Sequence, residues 1–209
     1  MIYLSQIGRA LMAEAQGRSD LGVLVTPDSS RRVLPGLPWA ADNGCYSRGA
    51  SFDLGRYLRW LGRPVGELPR CLFAVAPDVV GNATATWERS APVLPLLRGL
   101  GYRAALVAQD GFDAGAVDWS LVDALFVGGT TAWKRAKAGG YAVIREGKRR
   151  GLWVHVGRVN GAPFLRNVAA AGADSADGTQ LTYRSMWPRT RGWLDGLNAQ
   201  PTLRLEAAS

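Results

Sequence analysis

Residues 104–111 read Ala104-Ala105-Leu106-Val107-Ala108-Gln109-Asp110-Gly111: five apolar residues in a row, two polar ones, then glycine. An apolar run of this length without alternation suits a strand buried on both faces, as in a parallel sheet. The polar residues and the glycine mark its C-terminal end. The same grammar recurs on either side. Cys71-Leu72-Phe73-Ala74-Val75-Ala76 ends at Pro77-Asp78, and Ala124-Leu125-Phe126-Val127 ends at Gly128-Gly129. Leu152-Trp153-Val154-His155-Val156 ends at Gly157-Arg158. Further out, Leu21–Val25 and Trp39-Ala40-Ala41 are expected strands, the second ending at Asp42, and Ala173-Asp174-Ser175-Ala176 ends at Asp177-Gly178.

Helical patterns fill the gaps. They cover Phe52–Leu61, Asn82–Arg98, Thr131–Lys137, Tyr141–Arg150, Ala162–Ala171 and Arg189–Asn198. Asn82 is the expected N-cap of the second, and Pro92 and Pro95 are expected to break or kink it. Strand–helix alternation implies an α/β fold with a parallel sheet. Six or seven such units favour a small or trimmed (β/α)8 barrel in a single domain over residues 1–198. A doubly wound open sheet is the alternative. Residues 31–38, with two prolines and a glycine, read as a loop, and residues 199–209 read as a tail.

Composition narrows the chemistry. The chain has 209 residues, 47% hydrophobic and 20% charged, which suits one globular domain. No apolar run approaches the length of a membrane span, and the N-terminus lacks the pattern of a secretory signal, so a cytoplasmic location is expected. Cys45, Cys71 and His155 are the only Cys and His residues. They cannot build a four-ligand Cys/His zinc site or a disulfide scaffold, and no nucleophile elbow accompanies His155. Acid–base chemistry therefore falls to carboxylates. His155 reads as a structural residue pointing into the barrel or onto a helix, Cys71 as packing, and Cys45 as a residue that could line a pocket. Net charge is +8, and all basic residues but Lys134, Lys137 and Lys148 are arginines, which points to a polyanionic partner.

In a parallel barrel the C-terminal strand ends share one face, where active sites sit. Asp42-Asn43, Asp78, Gln109-Asp110, Arg158 to Asn160, and Asp174 with Asp177 would then converge. The ordered motifs Ala41-Asp42-Asn43-Gly44-Cys45, Pro77-Asp78, Val107-Ala108-Gln109-Asp110-Gly111, Phe126-Val127-Gly128-Gly129, Val156-Gly157-Arg158-Val159-Asn160 and Gly172-Ala173-Asp174-Ser175-Ala176-Asp177 resemble those of the guanine transglycosylases. Within that superfamily the chain looks most like the phage deazapurine DNA modification proteins, relatives of the queuine tRNA-ribosyltransferases. The resemblance runs from about Trp39 to Thr179.

That resemblance implies an enzyme that exchanges guanine in DNA for a 7-deazaguanine base in the host cytoplasm, with no cofactor and no metal. It assigns Asp177 as the carboxylate that attacks the sugar C1′. Asp42 becomes the acid/base at the reacting purine. Asp78 and Gln109 match residues that bond the guanine edge, and Gly128-Gly129 match a loop at the exocyclic carbonyl. Asn43, Asp110, Arg158, Asn160 and Asp174 are expected to support them. The tRNA enzymes carry a Cys-x-Cys-x-x-Cys…His zinc site after the nucleophile, and no Cys or His follows Asp177. This favours DNA over tRNA as the substrate. A tRNA transglycosylase, an inactive nucleic-acid-binding barrel and a nucleoside or sugar hydrolase stand as alternatives. A paired purine must be flipped out to be reached. Arg48, Lys134, Arg135, Lys137, Arg158, Arg184, Arg189 and Arg191 are candidate phosphate contacts, with Trp133, Tyr183 and Trp187 as candidate stacking rings.

Overall fold

The computed structural model describes residues 1–5, 15, 17–28, 33, 35–63 and 68–199. Residues 31, 32 and 34 of the expected loop at 31–38, and nearly all of the tail, lie outside the described residues; the described part of that loop, 33 and 35–38, carries no helix or strand. Eight parallel strands close into a barrel in sequence order. They are β1 Ile2–Ser5, β2 Leu21–Val25, β3 Trp39–Ala41, β4 Cys71–Val75, β5 Ala104–Ala108, β6 Ala124–Val127, β7 Trp153–Val156 and β8 Ser175–Asp177. The ring is completed by β1 against β8, with Ile2 opposite Ser175 and Leu4 opposite Asp177. Closure excludes the doubly wound sheet.

Six expected strands are found within a residue of their expected limits. The seventh shifts toward the C-terminus, so Asp177 lies inside β8 and Asp174 before it. The eighth, β1, was not among the expected strands. Four residues carry little periodicity by themselves, and this strand is held by ladders to both neighbours.

Helices surround the ring: α1 Cys45–Arg48, α2 Leu54–Leu61, α3 Ala83–Ser90, α4 Leu94–Gly99, α5 Thr131–Arg135, α6 Gly140–Arg149, α7 Ala162–Ala170 and α8 Trp187–Asn198. Asn82 caps α3, its side chain accepting the Ala85 N–H at 3.0 Å. The expected 82–98 helix is two helices, parted at 91–93 beside the prolines. The stretch expected as helix 131–137 ends at Arg135. There Gly139 and Gly140 sit against the Trp133 and Lys134 backbone, closer than any Cβ would allow.

Side chains alternate between the two faces of the ring, apart from a register shift in β4 that leaves Leu72 and Phe73 both packed inside. Leu4, Ala40, Phe73, Val75, Ala105, Val107 and Ala124 fill the interior. Their neighbours Tyr3, Trp39, Ala74, Leu106, Leu125 and Val154 face the helices in a second, larger core. Interior space is tight in the lower layer. At Gly22 a Cβ would fall 2.5 Å from the Pro38 carbonyl oxygen and 2.6 Å from a Leu4 methyl. Parity then fixes the upper layer: positions 42, 109, 128, 157 and 177 share the inward phase of 40, 107, 126, 155 and 175.

Gly22→Ala is expected to destabilise the fold by about 1–3 kcal/mol through overpacking. Urea unfolding of the two proteins checks this, and equal midpoints and slopes would contradict the tight interior.

Candidate active site

The strand ends enclose a cavity of about 200 Å³. Leu24, Val75, Val107 and Phe126 form apolar walls, and Asp42, Asp78, Gln109, Gly128, Gly129 and Asp177 are among its polar lining. The volume lies below the ~300–1,000 Å³ of drug-sized sites. It suits one small heterocycle, with any attached sugar at the mouth.

One side is a continuous hydrogen-bonded wall. The Asn43 amide donates to Ala76 O at 2.8 Å and to Asp78 Oδ1 at 3.0 Å. Gln109 Nε2 donates to Asp78 Oδ2 at 2.6 Å. Gln109 Oε1 accepts the Gly81 and Gly129 N–H groups at 3.0 and 2.9 Å. This wall ties the ends of β3, β4, β5 and β6 together. It also occupies groups the sequence offered to a ligand: the Gly128 N–H goes to Ala108 O and the Gly129 N–H to Gln109. Each Asp78 oxygen already accepts one bond and keeps lone pairs for another.

The two remaining carboxylates differ. Asp42 follows β3, and its Oδ1 accepts the Gly44 N–H at 3.0 Å. Burial pushes its carboxyl up to about 6. The Gly44 bond opposes this, and the charges of Asp177 and Asp78 add to it. Asp177, at the end of β8, keeps a 15% exposed side chain, and its Oδ1 lies 3.0 Å from His155 Nε2. The histidine is wholly buried between Phe126 and Phe73, with ring centroids 4.6 and 5.1 Å away. It does point into the barrel, directly beneath the Asp177 carboxylate.

The rim is built from both sides of the mouth. Tyr46 of α1 is 66% exposed, and the Arg158 guanidinium lies 4.8 Å above its ring. Arg158 also donates to Gly129 O at 2.6 Å and adopts a left-handed φ of 57°. That conformation is rare outside glycine, asparagine and aspartate. The sequence did not single out Tyr46. Its signal was an aromatic four residues beyond Asp42, in the turn that starts α1.

Asp110 and Asn160 support loops. Asp110 accepts the Thr130 N–H and hydroxyl at 2.7 and 2.6 Å, which anchors the start of α5. Asn160 Oδ1 accepts the Thr179 N–H at 2.8 Å. Asp174 does not support the cavity. It lies at the N-terminal end of β8, at the opposite end of the barrel, where its oxygens accept from Lys148 Nζ at 2.9 and 2.7 Å. The sequence spacing of three residues hid that a strand separates them.

The expected phosphate contacts divide. Lys134 is buried, with its ammonium bonded to Gly157 O and lowered to about 8 by burial and by Arg158, so it is no surface contact. Its helix is short and turns this face to the barrel. Arg48 pairs with Asp28, Arg135 lies over Phe164, and Arg189 lies over Trp193. Lys137 and Arg191 are exposed. The Arg184 side chain is outside the described residues. Of the stacking candidates Tyr183 is exposed, Trp133 half-buried, and Trp187 buried in the core. Cys45 is buried beside the mouth and does not line the main cavity. Arginines the sequence did not single out, Arg56, Arg59 and Arg63, line a surface cleft with Trp60 and Pro27. Pro27 directly follows Thr26 of the cavity wall.

A carboxyl raised on folding contributes stability below its ordinary 3.8, and that contribution is lost as pH rises through about 6. Relative to Asp42→Asn, the wild type is therefore expected to lose about 2–3 kcal/mol between pH 4 and pH 7. Urea unfolding at both pH values measures it, and a pH-independent difference would contradict the burial of this group.

Among the described residues no cluster of His, Cys, Asp and Glu is arranged to hold a metal, and no helix is long and apolar enough to cross a membrane. No protein-family model and no curated protein matches the chain. Solved structures align with most of its length. The native KDPGal structure aligns over 94% of this chain and 93% of that one, at 13% identity and a TM-score of 0.51. The Amycolatopsis orientalis BexX/CysO complex aligns over 99% and 94%, at 19% identity and a TM-score of 0.49. The first of these likenesses shows a common barrel fold.

Proposed function

We propose that this protein is an enzyme that exchanges guanine in DNA for a 7-deazaguanine base through a covalent Asp177–deoxyribose intermediate. The observation that carries the reading is the pair of unlike carboxyl groups at one cavity of nucleobase size. Asp42, raised to about 6, can be protonated near neutral pH, whereas Asp177 Oδ1 lies 3.0 Å from His155 Nε2. Two acids in different environments can serve as proton donor and nucleophile.

In the first half-reaction an Asp177 oxygen bonds to C1′ as the glycosidic C1′–N9 bond breaks. The bonding pair leaves with the base, which takes a proton from Asp42. In the second, the incoming base gives its N9 proton back to Asp42, N9 bonds to C1′, and the ester to Asp177 breaks. Splitting the displacement in two keeps the sugar activated while bases exchange. The Asp78 oxygens suit the N1–H and amino group of a guanine-like edge. The exposed Tyr46 ring at the mouth offers a stacking face. A DNA substrate suits the +8 net charge and the Arg56–Arg59–Arg63 cleft beside the mouth.

The test is a mass spectrum of nucleosides from duplex DNA incubated with the protein and 7-deazaguanine bases. Incorporation is expected, and Asp177→Asn is expected to lower it at least about 10³-fold while DNA binding persists. Incorporation into tRNA alone, or release of guanine without insertion, would overturn the reading. Arg59→Gln with Arg63→Gln is expected to weaken DNA binding and to reduce the log–log salt slope by about 2. An unchanged slope would remove the cleft from the interface.

A further inference from the structure

His155 is the single histidine of the chain, and it cannot touch a substrate because it is wholly buried. Its surroundings nevertheless constrain its proton. Nε2 lies 3.0 Å from Asp177 Oδ1, and Nδ1 lies 2.9 Å from Ser175 Oγ. Ser175 Oγ also accepts the indole N–H of Trp153 at 3.0 Å. All four residues, 153, 155, 175 and 177, occupy inward positions on the adjacent strands β7 and β8, paired at His155 and Ser175.

We infer that Trp153 and Ser175 hold His155 as the tautomer protonated at Nε2, and that His155 is thereby a positioning residue for Asp177. An indole nitrogen only donates, so it takes one lone pair of the serine oxygen. The buried serine proton then needs an acceptor, and Nδ1 is in place to be one. A neutral imidazole that accepts at Nδ1 must carry its proton at Nε2, facing the carboxylate. The other tautomer would strand the serine proton in a buried layer and set a nitrogen lone pair against Asp177 Oδ1, and both defects are costly. An imidazolium would likewise leave the serine proton without this acceptor. Phe73 and Phe126 clamp the ring from β4 and β6. Gly157 leaves room beside it: a Cβ there would fall 2.7 Å from the Phe126 ring and 3.4 Å from Asp177 Oδ1.

The consequence for turnover rests on the proposed function. With Oδ1 held from below, Asp177 presents its carboxylate in one orientation, with Oδ2 left for the sugar carbon. The relay acts on the chemical step and makes no contact with the base, so it should govern kcat rather than KM.

Because there is one histidine, its imidazole signals are unique in a long-range ¹H–¹⁵N spectrum of the full ¹⁵N-labelled chain at neutral pH. The expected result is a proton at Nε2 and none at Nδ1, with Ser175→Ala shifting the population toward the other tautomer. A wild-type proton at Nδ1, an imidazolium, or a spectrum unmoved by Ser175→Ala would overturn the relay. In base exchange, His155→Leu is expected to lower kcat about 10–100-fold, the worth of one charge-assisted hydrogen bond, with KM little changed. His155→Gln, which keeps an N–H donor at the Nε2 position, is expected to recover most of that loss. Equal rates for the Leu variant and the wild type, or no recovery with Gln, would overturn the positioning role. Melting temperatures identify a variant that fails to fold, and the spectrum of the Ser175 variant then decides. A wild type that exchanges no base in DNA overturns the proposed function instead, and the tautomer is still read directly.

Discussion

Pairing of β1 with β8 is the constraint on which the rest depends. Tyr3 meets Ala176 and Leu4 meets Asp177 across that seam, and the parallel sheet becomes a ring. In an open sheet β8 would be an edge, and Asp177 could not share a cavity with residues from β3 to β6. The seam is reinforced at its upper end. The Tyr3 hydroxyl donates to Val159 O at 3.0 Å, and the Val159 N–H donates to the Asp177 carbonyl at 2.6 Å. Gly178 lies so close to the Tyr3 hydroxyl that a Cβ would fall 2.2 Å from it, which explains a glycine directly after the carboxylate. A four-residue strand thus places the functional end of a three-residue one.

Closure also sets the electrostatics. Inside the ring the polar groups divide into a satisfied network and two acids outside it. Asn43, Asp78, Gln109 and Gly129 bond to one another, stiffening the wall of β3 to β6. Asp42 accepts the Gly44 N–H on Oδ1 and is raised by burial and by its acidic neighbours, while Asp177 has the His155 imidazole directly beneath it. Carboxyl groups of identical intrinsic chemistry are set apart by what surrounds them. The aromatic layer of Phe73, Phe126 and His155 separates this polar mouth from the lower barrel.

Much of this architecture was legible in the chain. The uninterrupted runs at 71–76, 104–108 and 124–127 announced buried parallel strands. The polar residues at their ends announced a shared face, and Asp42, Asp78, Gln109 and Asp177 do line one cavity. Other features were not legible. Strand β1 has too few residues to show a period. Asp174 and Asp177 look equivalent three residues apart, yet the strand between them sends one to a lysine at the far end of the barrel. Lys134 reads as a surface cation in Trp133-Lys134-Arg135, but the short helix α5 turns it onto Gly157 O, while Arg135 goes outward to Phe164.

By itself the sequence determined the alternation of buried strands and amphipathic helices and the set of polar residues at strand ends, because apolar runs and turn residues are local properties written along the chain. Only the tertiary structure decided which of those polar groups meet, which are consumed by one another, and that the lone histidine sits beneath Asp177. Those outcomes depend on strand register, inward parity and the closing of the ring, and each is a distance between residues far apart in sequence.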